Sequence, residues 1–145
     1  MALEVHVVQN SDQAELWQSV HNTVIPSHPL SVDDVRERLT RNRLTLAYVG
    51  EILIGNSTVR PATPDLPATV IVQILPTQRR RGHGMSYWRV IVEQDNELRD
   101  RELATVVVAS NEAGLRFAQR LGFTEVDRYE LDGTAYVDMK RSADR

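Results

Sequence analysis

The spacing of hydrophobic residues predicts strands interrupted by short helices in the first part of the chain. A β-rich run over residues 3–8 predicts the first strand. Two helical patterns follow it. Ser11 is the predicted N-cap of the first helix and Ser31 that of the second, because a hydroxyl at this position accepts a bond from a free backbone amide. Each helix places its apolar residues on one face, and two short helices therefore follow strand one.

The middle of the chain has the pattern of adjacent strands. Residues 44–49 and 52–59 are β-rich and are separated only by Gly50 and Glu51, which is typical of a tight hairpin. A proline-rich loop over residues 61–67 comes next. The nearly continuous apolar run 69–75 predicts a strand that is covered on both faces in the middle of a sheet.

The last part of the chain has two further helices and three strands. Helical spacing begins at Gly84 and extends to about Leu98, and residues 105–109 form a second buried strand. Asn111 is the predicted cap of the last helix, and Gly122 occupies its left-handed C-terminal position. Two strands joined at Asp132-Gly133 close the chain as a hairpin. The predicted order is β-α-α-β-β-β-α-β-α-β-β, a mixed α/β fold with a central sheet in one domain over residues 1–145.

Composition narrows the class of protein. With 17 basic and 20 acidic residues the formal net charge is −3, which disfavours a dedicated nucleic-acid binder because such proteins depend on cations that meet phosphates. The chain has no Cys, so disulfides, thiolate metal sites and a Cys nucleophile are excluded. Its apolar runs are shorter than the roughly 20 residues that cross a bilayer, and no signal peptide is evident. We therefore expect a cytoplasmic protein without a membrane partner.

The most informative segment runs from Ile74 through three consecutive arginines to Gly84. It leads from a buried strand through a glycine-containing turn into a helix, whose first amides have no partner within the helix. Free amides, the helix dipole and nearby guanidinium groups together favour a pyrophosphate ligand. Neither the dinucleotide fingerprint nor the Walker pattern is present. A single Arg-Gly copy without flanking aromatic residues is weak support for RNA binding.

Two motifs resemble the GNAT superfamily of acetyl-CoA-dependent N-acetyltransferases. Arg79-x-x-Gly82-x-Gly84, after a strand that ends in Ile-Leu-Pro, is similar to the family's acetyl-CoA signature. Residues 107–111 and the later Leu-Gly-Phe resemble the family's second strand, Asn-capped helix and helix ending. The element order is also similar over essentially the whole chain. The resemblance implies a mixed, mostly antiparallel sheet of about seven strands with four helices.

The resemblance implies that acetyl-CoA lies between two splayed central strands, as a cosubstrate and without a metal. It implies that the backbone of Val72, Gln73 and Ile74 pairs with the pantetheine arm, and that Asn111 either bonds the same arm or only caps its helix. The pyrophosphate would be held by the amides of a loop that comprises Arg79, Arg80, Arg81, Gly82, His83, Gly84 and Met85.

The family's usual proton-transfer residues are missing. Where many members have a Tyr acid this chain has Ala118, and where some have a Glu base it has Val106. Three explanations remain open. In the first, another residue replaces the missing acid or base. Ser110 is the catalytic candidate, and the hydroxyls of Tyr87, Tyr129 and Tyr136 are the others. Alternatively, positioning and water suffice. In the third, the domain is a non-catalytic acyl-CoA-binding sensor or regulatory module.

The acceptor of the acetyl group is expected to be a primary amine of a small molecule or a peptide. It would approach from the first two helices, the loop 61–67 and the final hairpin. His21 and His28 straddle Pro26 in a loop-like stretch there and are candidate substrate contacts. Two histidines without a third ligand do not make a metal site. The sequence leaves a homodimer open.

Overall fold

The protein is described from a computed structural model, which covers residues 2–143. Its strands are β1 (Leu3–Val7), β2 (Arg43–Val49), β3 (Ile52–Arg60), β4 (Ala68–Ile74), β5 (Leu103–Val108), β6 (Thr124–Leu131) and β7 (Thr134–Arg141). Its helices are α1 (Ser11–Val24), α2 (Val32–Leu39), α3 (His83–Trp88) and α4 (Glu112–Arg120). The predicted order of elements and the mixed α/β fold are confirmed.

All seven strands form one sheet in the order β1-β2-β3-β4-β5-β7-β6. Neighbouring strands are antiparallel except β4 and β5, which are the parallel pair among the described strands. The predicted central position of β4 is therefore correct. Its first residues are fully buried, whereas residues 71–74 are only partly covered, because the strand's second half borders a cleft.

Hydrophobic residues pack on both faces of the sheet. One cluster includes Trp17, Val35 and Leu44 and joins α1 and α2 to β2. The larger cluster includes Trp88, Leu121 and Val137 and joins α3 and α4 to the other face. The two helix pairs therefore cover opposite faces of the sheet.

Polar residues define where the helices begin. The Asn10 side chain accepts from the Gln13 amide, so Asn10 caps α1 and the prediction of Ser11 was one residue late. Ser31 caps α2 as predicted, and Asp34 returns a bond to the Ser31 amide to complete a capping box. Gly122 has the left-handed φ of 95° that the sequence predicted after α4.

The helix predicted over residues 84–98 is wrong in its extent. It starts at His83, changes to a π-helical turn at Arg89–Glu93, and gives way to turns. Ile91, Val92 and Leu98 still reach the larger core. The apolar spacing correctly predicted which residues are buried. It did not predict that the α-helix ends at Trp88 or that the helical turns stop at Glu93, where a run of polar residues begins.

Candidate functional site

A cleft of about 760 Å³ opens beside the second half of β4. It is enclosed by β4, by the loop that leads into α3, and by one side of α4 along its length. This volume lies within the roughly 300–1,000 Å³ of typical small-molecule sites. The cleft is large enough for an extended ligand that carries several functional groups.

The floor of the cleft is a place where the sheet is split. β4 and β5 are paired at Ala68↔Leu103 and Thr69↔Ala104, and no further pair between them occurs in the described chain. A smaller gap of about 50 Å³ lies between the separated strands, with Val72 and Val106 among the residues that line it. The edge of β4 that faces β5 is therefore open to hydrogen bonds from a ligand.

The loop between β4 and α3 presents backbone amides to the cleft. Arg80 and Gly82 both have left-handed backbone angles, with φ of 65° and 79°. The Ser86 amide makes the first intrahelical bond, to the Gly82 carbonyl, so the amides of residues 83–85 have no partner within α3. Left-handed residues in a turn before a helix help to direct successive N–H groups to one side, which suits an anion.

The side chains around the cleft are cationic. Arg79 and Arg80 line it from the loop, and Arg116 and Arg120 line it from α4. The Arg79 Nε donates to the Ile74 carbonyl at 3.1 Å, which fixes this side chain across the turn. No carboxylate is among the lining residues of the described chain. The site therefore favours a ligand with several negative charges.

Asn111 lies at the junction of β5 and α4. Its Oδ1 accepts from the Gly114 amide at 3.1 Å, so the predicted cap is present. A methyl group at Gly114 would come within 2.6 Å of the Asn111 Nδ2. The side chain is thus held by its capping bond and by a glycine that leaves room for it, and it also lines both the cleft and the gap.

The structure brings most of the predicted coenzyme residues together. The residues that line the cleft include Val72, Gln73, Ile74, Arg79, Arg80, Gly82, His83, Gly84, Met85 and Asn111. Arg81 is exposed and is not among the lining residues. Ser110 is exposed in the turn after β5 and lines neither the cleft nor the gap. The placement of Ser110 therefore gives no support to its predicted catalytic role.

The two histidines occupy a different environment from the predicted loop-like stretch. His21 belongs to α1, is 6% exposed and stacks on Trp17. Its Nε2 donates to the His28 carbonyl oxygen at 3.1 Å, and burial lowers its pKa. His28 is half-buried and packs edge-on against Tyr136, with ring centres 6.1 Å apart. The prediction that His21 lies in a loop-like stretch was wrong. The sequence pattern did not show that its ring packs beside Trp17 on the buried face of α1.

The tyrosines differ in how far a ligand can reach them. The Tyr87 hydroxyl is buried against the Thr45 and Ser57 hydroxyls. Burial raises the pKa of Tyr87 to about 12. Tyr129 and Tyr136 are half-buried, stack on one another and lie on the final hairpin. Their pKa values are also raised, chiefly by burial, so both keep their O–H protons near neutral pH.

The residues that sequence reasoning missed come mainly from α4. They include Ala113, Gly114, Arg116, Phe117 and Arg120. Arg116 and Arg120 are four residues apart, which places both on one side of a helix. Their spacing was the available signal, but it did not show that this side faces the loop before α3.

Two further features concern metals and membranes. Within residues 2–143 there is no group of three or more His, Asp or Glu side chains that could hold a metal ion. None of the helices in that same range has the length and apolar character needed to span a bilayer.

Comparison with known families gives one match. Residues 62–131 match the family described as FR47-like protein. This segment runs from the loop before β4 to the end of β6 and includes nearly all of the cleft. No curated protein matches the chain in sequence.

Solved structures resemble the chain along nearly its full length. A candidate phosphinothricin N-acetyltransferase has a TM-score of 0.80 at 19% identity, covering 97% of this chain and 98% of its own. The ribosomal-protein-S18-alanine N-acetyltransferase from Escherichia coli has a TM-score of 0.75 at 16% identity, covering 99% and 95%. A candidate acetyltransferase from Salmonella typhimurium, solved with acetyl-CoA, has a TM-score of 0.74 at 11% identity, covering 100% and 96%. At these low sequence identities, the structural similarity establishes only that this chain shares their fold.

Proposed function

We propose that the chain is an acetyl-CoA-dependent N-acetyltransferase, because it has the fold of the GNAT acetyltransferase superfamily. Its residues 62–131 also match the FR47-like family. The chain would transfer an acetyl group directly to a primary amine of a small molecule or a peptide, within one domain over residues 1–145. The observation that carries the proposal is the cationic cleft that leads into the gap between β4 and β5.

The cleft has the donors that acetyl-CoA requires. The amides at the start of α3 and the guanidinium groups of Arg79, Arg80, Arg116 and Arg120 would hold its phosphates. Val72 and Ile74 on the open edge of β4 would bond the amides of its pantetheine arm, whereas the Gln73 carbonyl faces Gly55 on β3. The Asn111 side chain would bond the same arm from the other wall. When bound, acetyl-CoA supplies an activated thioester carbonyl. The chain's own residues hold the thioester in place and give the amine a path to the gap.

Binding of acetyl-CoA is the first test. Isothermal titration should give a 1:1 complex with a dissociation constant in the micromolar range, and its affinity should fall as salt is added because phosphates meet guanidinium groups. Absence of binding at millimolar acetyl-CoA would remove the proposal. Titration with desulfo-CoA, which has the same phosphates, would show that the cleft and not the acetyl group supplies most of the affinity.

A non-catalytic acyl-CoA sensor is the second candidate. It is favoured by one observation, that a buried Ala118 and an apolar Val106 occupy the two positions where the family's acid and base are found. Release of free CoA thiol on a panel of primary amines separates the candidates. Release with any amine identifies an enzyme, whereas tight binding without release on the whole panel identifies a sensor.

A further inference from the structure

Because Val106 occupies the position of the family's Glu base, the proposed reaction lacks the usual group that takes the amine's proton. The register of the sheet supplies a carboxylate beside this residue. Val106 on β5 is directly opposite Asp138 on β7. Directly opposed residues point to the same face of a sheet with Cβ atoms about 4.5–5.5 Å apart. Asp138 is therefore the cross-strand neighbour of a residue that lines the gap.

Asp138 is held in place by an aromatic pair. The Tyr129 hydroxyl donates to its Oδ1 at 3.0 Å. Tyr129 in turn stacks on Tyr136, with ring centres 5.7 Å apart and planes 26° from parallel. The second carboxylate oxygen and the remaining lone pairs of Asp138 stay available to a ligand.

The burial of Asp138 distinguishes it from other carboxylates. Within residues 2–143 every Asp and Glu is exposed except Asp95 and Asp138, which are half-buried. Asp95 lies in the turns after α3, where its Oδ1 accepts the Glu97 amide and shapes the chain locally. Asp138 has no such turn to stabilise, because it lies in the middle of a paired strand.

Asp138 lines neither the cleft nor the gap, but it lies beside Val106 on the sheet face opposite to α4. Strict alternation places Val106, Tyr136 and Asp138 on the face opposite to that of Val107 and Met139. α4 packs on the latter face, where Gly114 approaches Val107. α1 and α2 cover the former face over β2 and β3, and their connecting loop reaches the hairpin through His28 against Tyr136. In the proposed reaction an amine would approach Asp138 beside this loop, while the coenzyme would occupy the cleft that α4 lines.

We propose that Asp138, oriented by Tyr129, binds the ammonium group of a cationic primary-amine acceptor and takes one of its protons. This inference rests on the proposed acetyltransferase function. The ammonium loses one proton to the Asp138 carboxylate, which passes it to solvent. The neutral nitrogen then forms a bond to the thioester carbonyl carbon as the C–S bond breaks, and a second nitrogen proton goes to the departing thiolate. The products are the N-acetyl amine, CoA thiol and one released proton.

Several charged and titratable groups surround this position. Tyr129, Tyr136, Asp127 and Asp132 come from the hairpin. His28 and Arg38 come from the loop between α1 and α2 and from α2, and the Arg38 charge lowers the pKa of Tyr136 in opposition to burial. Since these groups also place charge near the proposed amine site, the test compares variants at each pH and does not use the wild-type profile alone.

The test measures thiol release as a function of pH for the wild type and for Asp138→Asn, Asp138→Glu and Glu130→Gln. Glu130 is the control because it is an exposed carboxylate of the same hairpin, and alternation along β6 places it on the face opposite to Asp138. Asp138→Asn should lower kcat on the best amine by about 100-fold at pH 7, with the dissociation constant of acetyl-CoA within twofold of wild type. Asp138→Glu should retain more than a tenth of kcat, and Glu130→Gln should change it less than threefold.

The pH dependence separates proton transfer from structure. The deficit of Asp138→Asn should shrink as pH rises toward the pKa of the acceptor amine, because an amine that is already neutral needs no base. Equal kcat for Asp138→Asn and wild type across this range would overturn the role of Asp138 while leaving the acetyltransferase intact. Absence of thiol release by the wild type with every amine, despite acetyl-CoA binding, would instead overturn the proposed function and this inference with it.

Discussion

The two edges of β4 differ in how far they pair with a neighbouring strand, although both belong to the same seven residues. On one edge the strand pairs with β3 at six consecutive positions, from Arg60↔Thr69 to Gly55↔Ile74. On the other it pairs with β5 at two positions and then separates. One edge therefore fixes the strand in the sheet, and the other offers the same type of backbone groups to a ligand. Rigidity on the closed edge is what keeps the open edge aligned.

The loop at the end of the open edge should show the largest effect. The double variant Arg79→Glu/Gly82→Asp places negative charge and bulk where the phosphates would lie in the proposed complex, and Asp at a φ of 79° is also strained. We expect acetyl-CoA binding to fall by more than 100-fold, to below detection in isothermal titration. Arg43→Glu, an exposed charge reversal at the start of β2, is the control and should bind normally. Normal binding by the double variant would refute the proposed loop.

Gly55 tests the closed edge. A methyl group at this position would overlap the Gln73 carbonyl oxygen, which is backbone and cannot rotate away. Gly55→Ala should force β3 and β4 apart and lower the free energy of unfolding by about 3 kcal/mol. Urea denaturation measures this loss. Gly133→Ala, where φ is 82° but no atom lies within 4 Å, should cost about 1 kcal/mol. Equal losses would show that crowding on β4 is unimportant.

Asn111 tests the wall opposite the open edge. Asn111→Ala should remove the cap of α4 and lower the free energy of unfolding by about 1 kcal/mol. Asn111→Ser keeps a capping oxygen but loses the amide donors. If Asn111 also bonds the coenzyme, Asn111→Ser should retain most of the stability yet bind acetyl-CoA about tenfold more weakly, which corresponds to about 1.4 kcal/mol. Unchanged affinity in titration would restrict Asn111 to capping.

The smallest effect is expected at His21, which lines neither the cleft nor the gap. Burial lowers its pKa in the folded protein, so the unfolded chain binds more protons between that value and about 6.5. Its contribution to stability is therefore present above pH 6.5 and is lost as pH falls below it. His21→Gln keeps an N–H donor for the His28 carbonyl and should flatten this dependence in urea denaturation at pH 5 and pH 8. An identical pH slope in both proteins would contradict it.

Much of the fold could be predicted because its signals are local. The alternation of apolar residues in β2 and β3, the caps at Ser31 and Asn111, and the left-handed Gly122 each depend on a few neighbouring residues. The loop before α3 was recognised for the same reason. Its glycines and arginines are consecutive, so their presence at one site follows from the chain itself.

The remaining features depend on contacts between distant segments. Arg116 and Arg120 line the cleft only because α4 packs with this side toward the loop before α3. His21 is buried because its ring meets Trp17 and the carbonyl of His28. Asp138 lies beside Val106 because β7 inserts between β5 and β6 in one register. Periodicity identifies which face of an element is apolar, but it does not identify the partner strand.

The split between β4 and β5 also links ligand concentration to the folding equilibrium. A ligand that completes the open edge binds the folded chain and has no site on the unfolded one, so it stabilises the protein by RT ln(1 + [L]/Kd), about 2.7 kcal/mol at a hundredfold excess over Kd. Hydrogen exchange of the amides in residues 70–74 should slow by the corresponding factor. The free energy of unfolding of this protein would then rise with the concentration of free coenzyme.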